Sequence, residues 1–166
     1  LIYKIKDNVE LNDIPNESSM LGKANLIKEG NDITIVAYSN MVNVVKEAIA
    51  AEELQDYSIE LIDLQTVSPI DYDTIKNSLK KTKRLLVCQE APSNSSVGTT
   101  VITKIVESEL FHELEVAPKL VSGLHSPMPS AKHLELNVIP QAEDITNSVK
   151  STVSYTHLTL PTKCWV

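Results

Sequence analysis

The sequence predicts a three-layer α/β domain, with a mostly parallel sheet, one antiparallel edge strand and helices on both faces. Short apolar runs rich in β-branched residues recur at 33–38, 58–65 and 84–90, the pattern of strands buried on both faces. Longer stretches between them carry apolar residues at helical spacing. The alternation is that of βαβ units, in which each helix carries the chain between parallel strands with a right-handed crossover.

Residues 1–19 are polar and turn-rich, with Asn12, Asp13, Pro15 and Asn16 close together, and read as a linker from a missing N-terminal domain. The domain itself is expected at 20–153. Residues 24–28 alternate, and Glu29, Gly30, Asn31 and Asp32 supply a hairpin turn, which predicts antiparallel pairing of 24–28 with the strand at 33–38. Ser39 and Asn40 offer an N-cap, and Met41, Val44, Val45, Ala48, Ile49 and Ala51 continue a helix to Leu54. After the strand at 58–65, Ser68 and Pro69 mark a loop and Asp71 caps a helix whose Ile75 and Leu79 form an i, i+4 pair ending near Thr82. A strand at 84–90 leads through a polar loop at 91–98 into a long helix bearing Val101, Ile102, Ile105, Val106, Leu110 and Phe111. The last strand falls at 118–124, Pro127 and Pro129 keep 126–130 extended, and a final helix after Pro140 aligns Ile145, Val149 and Val153. Residues 154–166 hold the single tryptophan, show no period and read as a non-native tail.

The 166 residues fit one domain, and 42% hydrophobic with 22% charged is ordinary globular composition. A net charge of −7 opposes nucleic acid or an anionic membrane, which attract a clustered positive field. The one basic cluster, Lys76, Lys80, Lys81, Lys83 and Arg84, sits where cations complement a helix C-terminus and reads as a solvated helix end. Cys88 and Cys164 lie far apart with no partner at metal-ligand spacing, which fits a reducing compartment. No apolar run approaches the roughly 18 residues of a membrane span.

Candidate chemistry is sparse. Gly22, Gly30, Gly98 and Gly123 form neither GxGxxG nor GxxxxGK, so a phosphate-cradling loop of the usual kind is not predicted. There is no GxSxG elbow, and Cys88 in mid-strand reads as an inert small hydrophobe. His112 falls on the long helix, while His125 and His133 flank the proline segment at a spacing that fits no standard metal site. Glu90 closes a strand, where open α/β sheets place ligands and interfaces. A carboxylate there can pair with a neighbouring chain, bind a ligand or cap the following loop.

The ordered series LGKANLIKEGNDITIVAY, IELIDLQTVSPIDYDTI, KKTKRLLVCQEA and VSGLHSPMPSAKHLELNVIPQAEDI resembles the C-terminal domain of the beta subunit of thiamine-diphosphate-dependent 2-oxo acid dehydrogenases. It is similar to the pyruvate and acetoin members in particular, over about 1–153, and its domain type is that of the transketolase C-terminus. The resemblance implies a multienzyme complex in which thiamine diphosphate and Mg serve the full enzyme, and no cofactor is expected on these residues. It implies as partners an alpha subunit, a second beta subunit and a lipoyl-bearing acyltransferase, with this domain serving assembly and docking during oxidative decarboxylation. The expected compartment is the bacterial cytoplasm, or the mitochondrial matrix in a eukaryote. No catalytic, cofactor or metal residue carries over, and the fragment alone is expected to be inactive.

Interface candidates are Gln65 and His125, from the same resemblance, and Glu90, from its place at the end of a strand. The family's arginine in an IDLRT segment is Gln65 here, which removes a guanidinium contact. Its glycine-rich turn appears as Ser95, Ser96, Val97, Gly98, Thr99, Thr100 and Val101, without the family's glycines and acid. His125 or its neighbour stands for a polar or acidic residue, and Ser130 for a tyrosine. Two other readings stay open: a transketolase-like enzyme's C-terminal domain, and a non-catalytic α/β oligomerisation module.

Overall fold

A computed structural model describes residues 21–154. The linker expected at 1–19, and the tail expected at 154–166 apart from its first residue, lie outside the described residues, as do His157 and Cys164. In chain order the elements are β1 (Asn25–Lys28), β2 (Ile33–Ala37), α1 (Met41–Ala50), β3 (Ile59–Asp63), α2 (Tyr72–Thr82), β4 (Leu85–Pro92), α3 (Val97–Val106), β5 (Lys119–Gly123), α4 (Lys132–Glu135) and α5 (Ala142–Val153).

The five strands form one sheet in the order β1-β3-β2-β4-β5. β2 is parallel to β3 and β4, β5 is parallel to β4, and β1 is antiparallel to β3. Ile33, Ile35 and Ala37 of β2 point to one face, where Val45 and Ala48 of α1 and Ile145 and Val149 of α5 cover them. Val36, Ile62 and Val87 point to the other, under Ile75 and Leu79 of α2 and Val101 and Ile105 of α3. β2 is therefore buried along its whole length, as its unbroken apolar run requires. Each Ile, Leu or Val withdrawn in this way contributes about 1.5–3 kcal/mol.

One expected pairing is corrected. β1 lies beside β3, not beside β2. The turn after β1 does not reverse as a tight hairpin; it crosses the start of β3 and is tied there. Asn31 and Asp32 donate their backbone N–H groups to the Ser58 carbonyl at 2.9 and 2.8 Å, and Gly30 donates its own to the Glu60 carboxylate at 3.1 Å. A Cβ at Gly30 would overlap the backbone of Ile59 and Glu60, so glycine is needed for this close approach.

Two helices also end earlier than their apolar spacing predicts. α1 stops at Ala50 because the Gln55 amide donates to the carbonyls of Ile49, Ala50 and Ala51, each at 3.3 Å, and the chain continues as a short 3₁₀ turn, Glu52–Leu54. α3 stops at Val106, where the Ser108 hydroxyl donates to the Ile105 carbonyl at 2.7 Å, and Leu110 and Phe111 fall in a separate 3₁₀ turn, Glu109–Glu113. Such side-chain donors satisfy the orphan carbonyls of a helix end. α2 follows the expectation closely: Asp71 caps it through the Thr74 N–H at 3.2 Å, and Lys83 leaves it in the left-handed conformation. α4 is an addition to the four helices that the apolar spacing predicts.

Candidate subunit interface

Because β2, β3, β4 and β5 run parallel, the loops after them collect at one edge of the sheet. The chain passes from β2 outward to β3, then returns across β2 to β4. The strand order therefore reverses between β2 and β4, and a doubly wound sheet opens a crevice at the carboxyl ends of the strands at such a point.

Asn40 and Glu90 meet at that point of reversal. Asn40 precedes α1, and instead of capping the helix with its side chain it donates its amide to Glu90 Oε1 at 3.4 Å. Two residues before Asn40 and one before Glu90, the Tyr38 hydroxyl donates to Gln89 Oε1 at 3.5 Å. Burial, and then the neighbouring Glu90 charge, hold the Tyr38 phenol above its usual range.

Gln89 is fully buried and organises the loop into α3. Its Nε2 donates to the carbonyls of Ala91 at 3.0 Å and Pro92 at 3.1 Å, and its Oε1 accepts from the Gly98 N–H at 2.7 Å. β4 thus continues to Pro92, past the boundary at 90 that the apolar run predicts. α3 begins at Val97 under a capping box made by Ser96 and Thr99, so Gly98 is helical and not in the loop. The role of Gln89 has no signal in the sequence, where it is one polar residue at the end of a strand.

Gln65 follows β3 at the same edge. It is exposed and left-handed, with φ +50°, and its N–H donates to Asp63 Oδ1 at 3.0 Å. His125 follows β5 and is exposed. Gln65, Glu90 and His125 share the edge, but no hydrogen bond or ion pair joins any two of them among the described residues. Gln65 follows β3 and Glu90 lies in β4, two strands separated by β2 and about 10 Å apart at the usual strand spacing.

The segment after β5 adds what the single residues lack. Gly123 packs so closely on the Glu90 carbonyl that a Cβ would overlap it, and Leu124 N–H donates to the Val138 carbonyl at 2.9 Å. Between these ties the chain turns its apolar side chains outward: Leu124, Met128, Leu134 and Leu136 are 59%, 55%, 44% and 51% exposed. α4 buries no residue at all. Exposed apolar groups of this kind are candidates for an interaction surface.

Cys88 is fully buried in β4, and burial pushes its thiol far above the ordinary range. The basic cluster at the end of α2 is only partly solvated: Lys81 pairs with Glu60 and Arg84 with Glu115. Among the described residues no three His, Cys, Asp or Glu side chains are grouped to hold a metal ion. No helix of the described residues is long and apolar enough to cross a membrane.

The family model for the transketolase C-terminal domain matches residues 22–145. The chain belongs to the transketolase C-terminal domain family. As a member it is similar to the pyruvate dehydrogenase E1 component subunit beta of Rickettsia bellii, at 38% identity over 148 residues, which are 89% of this chain and 43% of that protein. It is likewise similar to the mitochondrial pyruvate dehydrogenase E1 component subunit beta of Pisum sativum, at 37% identity over 78% of this chain and 36% of that protein. The chain therefore spans about two fifths of the length of the curated relatives it matches. Among solved structures, a split gene transketolase, an inactive beta4 tetramer, superposes with a TM-score of 0.69 at 23% identity, over 84% of this chain and 45% of that one. This likeness shows the transketolase C-terminal fold, with its mostly parallel sheet and antiparallel edge strand.

Proposed function

We propose that residues 20–153 form the C-terminal domain of the beta subunit of a pyruvate-dehydrogenase-type 2-oxo acid dehydrogenase, and that the domain serves assembly. The observation that carries this reading is the 38% identity to a pyruvate dehydrogenase beta subunit over 89% of the chain. The outward leucines of 124–136 support it, since they leave apolar groups for another chain to cover. The partners are an alpha subunit, a second beta subunit and a lipoyl-bearing acyltransferase. The compartment is the bacterial cytoplasm, or the mitochondrial matrix in a eukaryote.

Thiamine diphosphate with magnesium supplies the chemistry of oxidative decarboxylation in such an enzyme. The described residues do not fit that group. They present no metal-holding cluster, and their glycines stand singly with no phosphate loop. The proposal leaves the cofactor to the remainder of the beta subunit and to the alpha subunit, and gives Gln65, Glu90 and His125 interface roles only.

Co-expression tests the reading. The N-terminal half of the Rickettsia bellii beta subunit is produced with its alpha subunit, with and without this chain. Thiamine-diphosphate-dependent pyruvate decarboxylation that appears only when the chain is present is the expected result. Activity that is the same without the chain would contradict it, as would an assembled complex with none.

A further inference from the structure

We draw no further inference here: the strongest candidate, the surface patch of Leu21 and Val67, exposed where the chain entering β1 is tied through Gly22 to Thr66 of the loop after β3, carries none because nothing in the structure shows what covers it.

Discussion

The buried carboxylate of Glu60 receives the ammonium of Lys81. Glu60 stands in β3 with 2% of its surface exposed, and besides Lys81 it accepts from the Ser78 hydroxyl and the Gly30 N–H. Ser78 and Thr82 in turn hydrogen-bond Thr34 of β2 at 2.7 and 2.6 Å. One acidic side chain therefore ties the turn after β1, two strands and α2 together, in a network whose members are all satisfied.

This pair makes stability depend on pH. Burial alone would raise the Glu60 carboxyl, but the bonds from Lys81, Ser78 and the Gly30 N–H outweigh it and hold the group below the ordinary range. A carboxylate depressed on folding adds stability above its unfolded value of about 4.3, and that stability is lost as pH falls through the folded value. Urea midpoints measured from pH 7 downward should therefore fall below about pH 5, and Glu60→Gln should flatten that fall.

Lys81→Ala leaves the Glu60 charge buried without its cation. Breaking a fully buried pair costs about 3–5 kcal/mol; Lys81 is 42% exposed, so a loss of about 2 kcal/mol is expected. Lys81→Ala/Glu60→Gln should recover part of it, as a double-mutant cycle in urea would show.

Gly30→Ala tests the correction to the sheet order. The added methyl would meet the backbone of Ile59 and Glu60, where nothing flexible can yield, and a loss of about 3 kcal/mol or more is expected in chemical denaturation. A glycine needed only for the left-handed backbone of a hairpin turn would lose about 1–2 kcal/mol on the same change.

Cys88 should be silent in the folded chain. With Cys164→Ser removing the second thiol, labelling of Cys88 by a disulfide reagent should be slower than that of an exposed cysteine by orders of magnitude, and should follow unfolding.

What the sequence made legible follows from how local the cause was. The strand at Ile33–Ala37 could be read because burial on both faces leaves an unbroken apolar run. The start of α2 could be read because Asp71 caps a helix only three residues away. The neighbour of β1 could not, since Gly30 carries both a turn signal and a close contact with residues some thirty positions on, and only the first has a local pattern. The early stop of α1 depends on the Gln55 amide folding back, which apolar spacing does not register. At the candidate interface, the placement of Glu90 near the carboxyl end of β4 was legible from the apolar run before it. The role of Gln89 was not, because its partners are backbone groups whose positions the fold alone creates. The outward turn of Leu134 and Leu136 was hidden too, because apolar residues signal burial whether the covering surface is this chain's or another's.

Glu90→Gln should leave the fold intact and lower the Tyr38 phenol toward its usual value, because it removes a charge that opposes phenolate formation while burial remains. Tyrosine NMR titration of the variant against the parent would show the shift.

The assembly claim is tested most directly by sedimentation velocity of the 166-residue chain with a pyruvate-dehydrogenase alpha subunit, alone and as the Leu134→Glu/Leu136→Glu variant. A mixed complex for the parent, weakened about tenfold or more in the variant while its melting curve is unchanged, is the predicted result. A complex of equal strength from the variant would contradict the placement of the interface, and a parent chain that sediments independently at every ratio would contradict the assembly role itself.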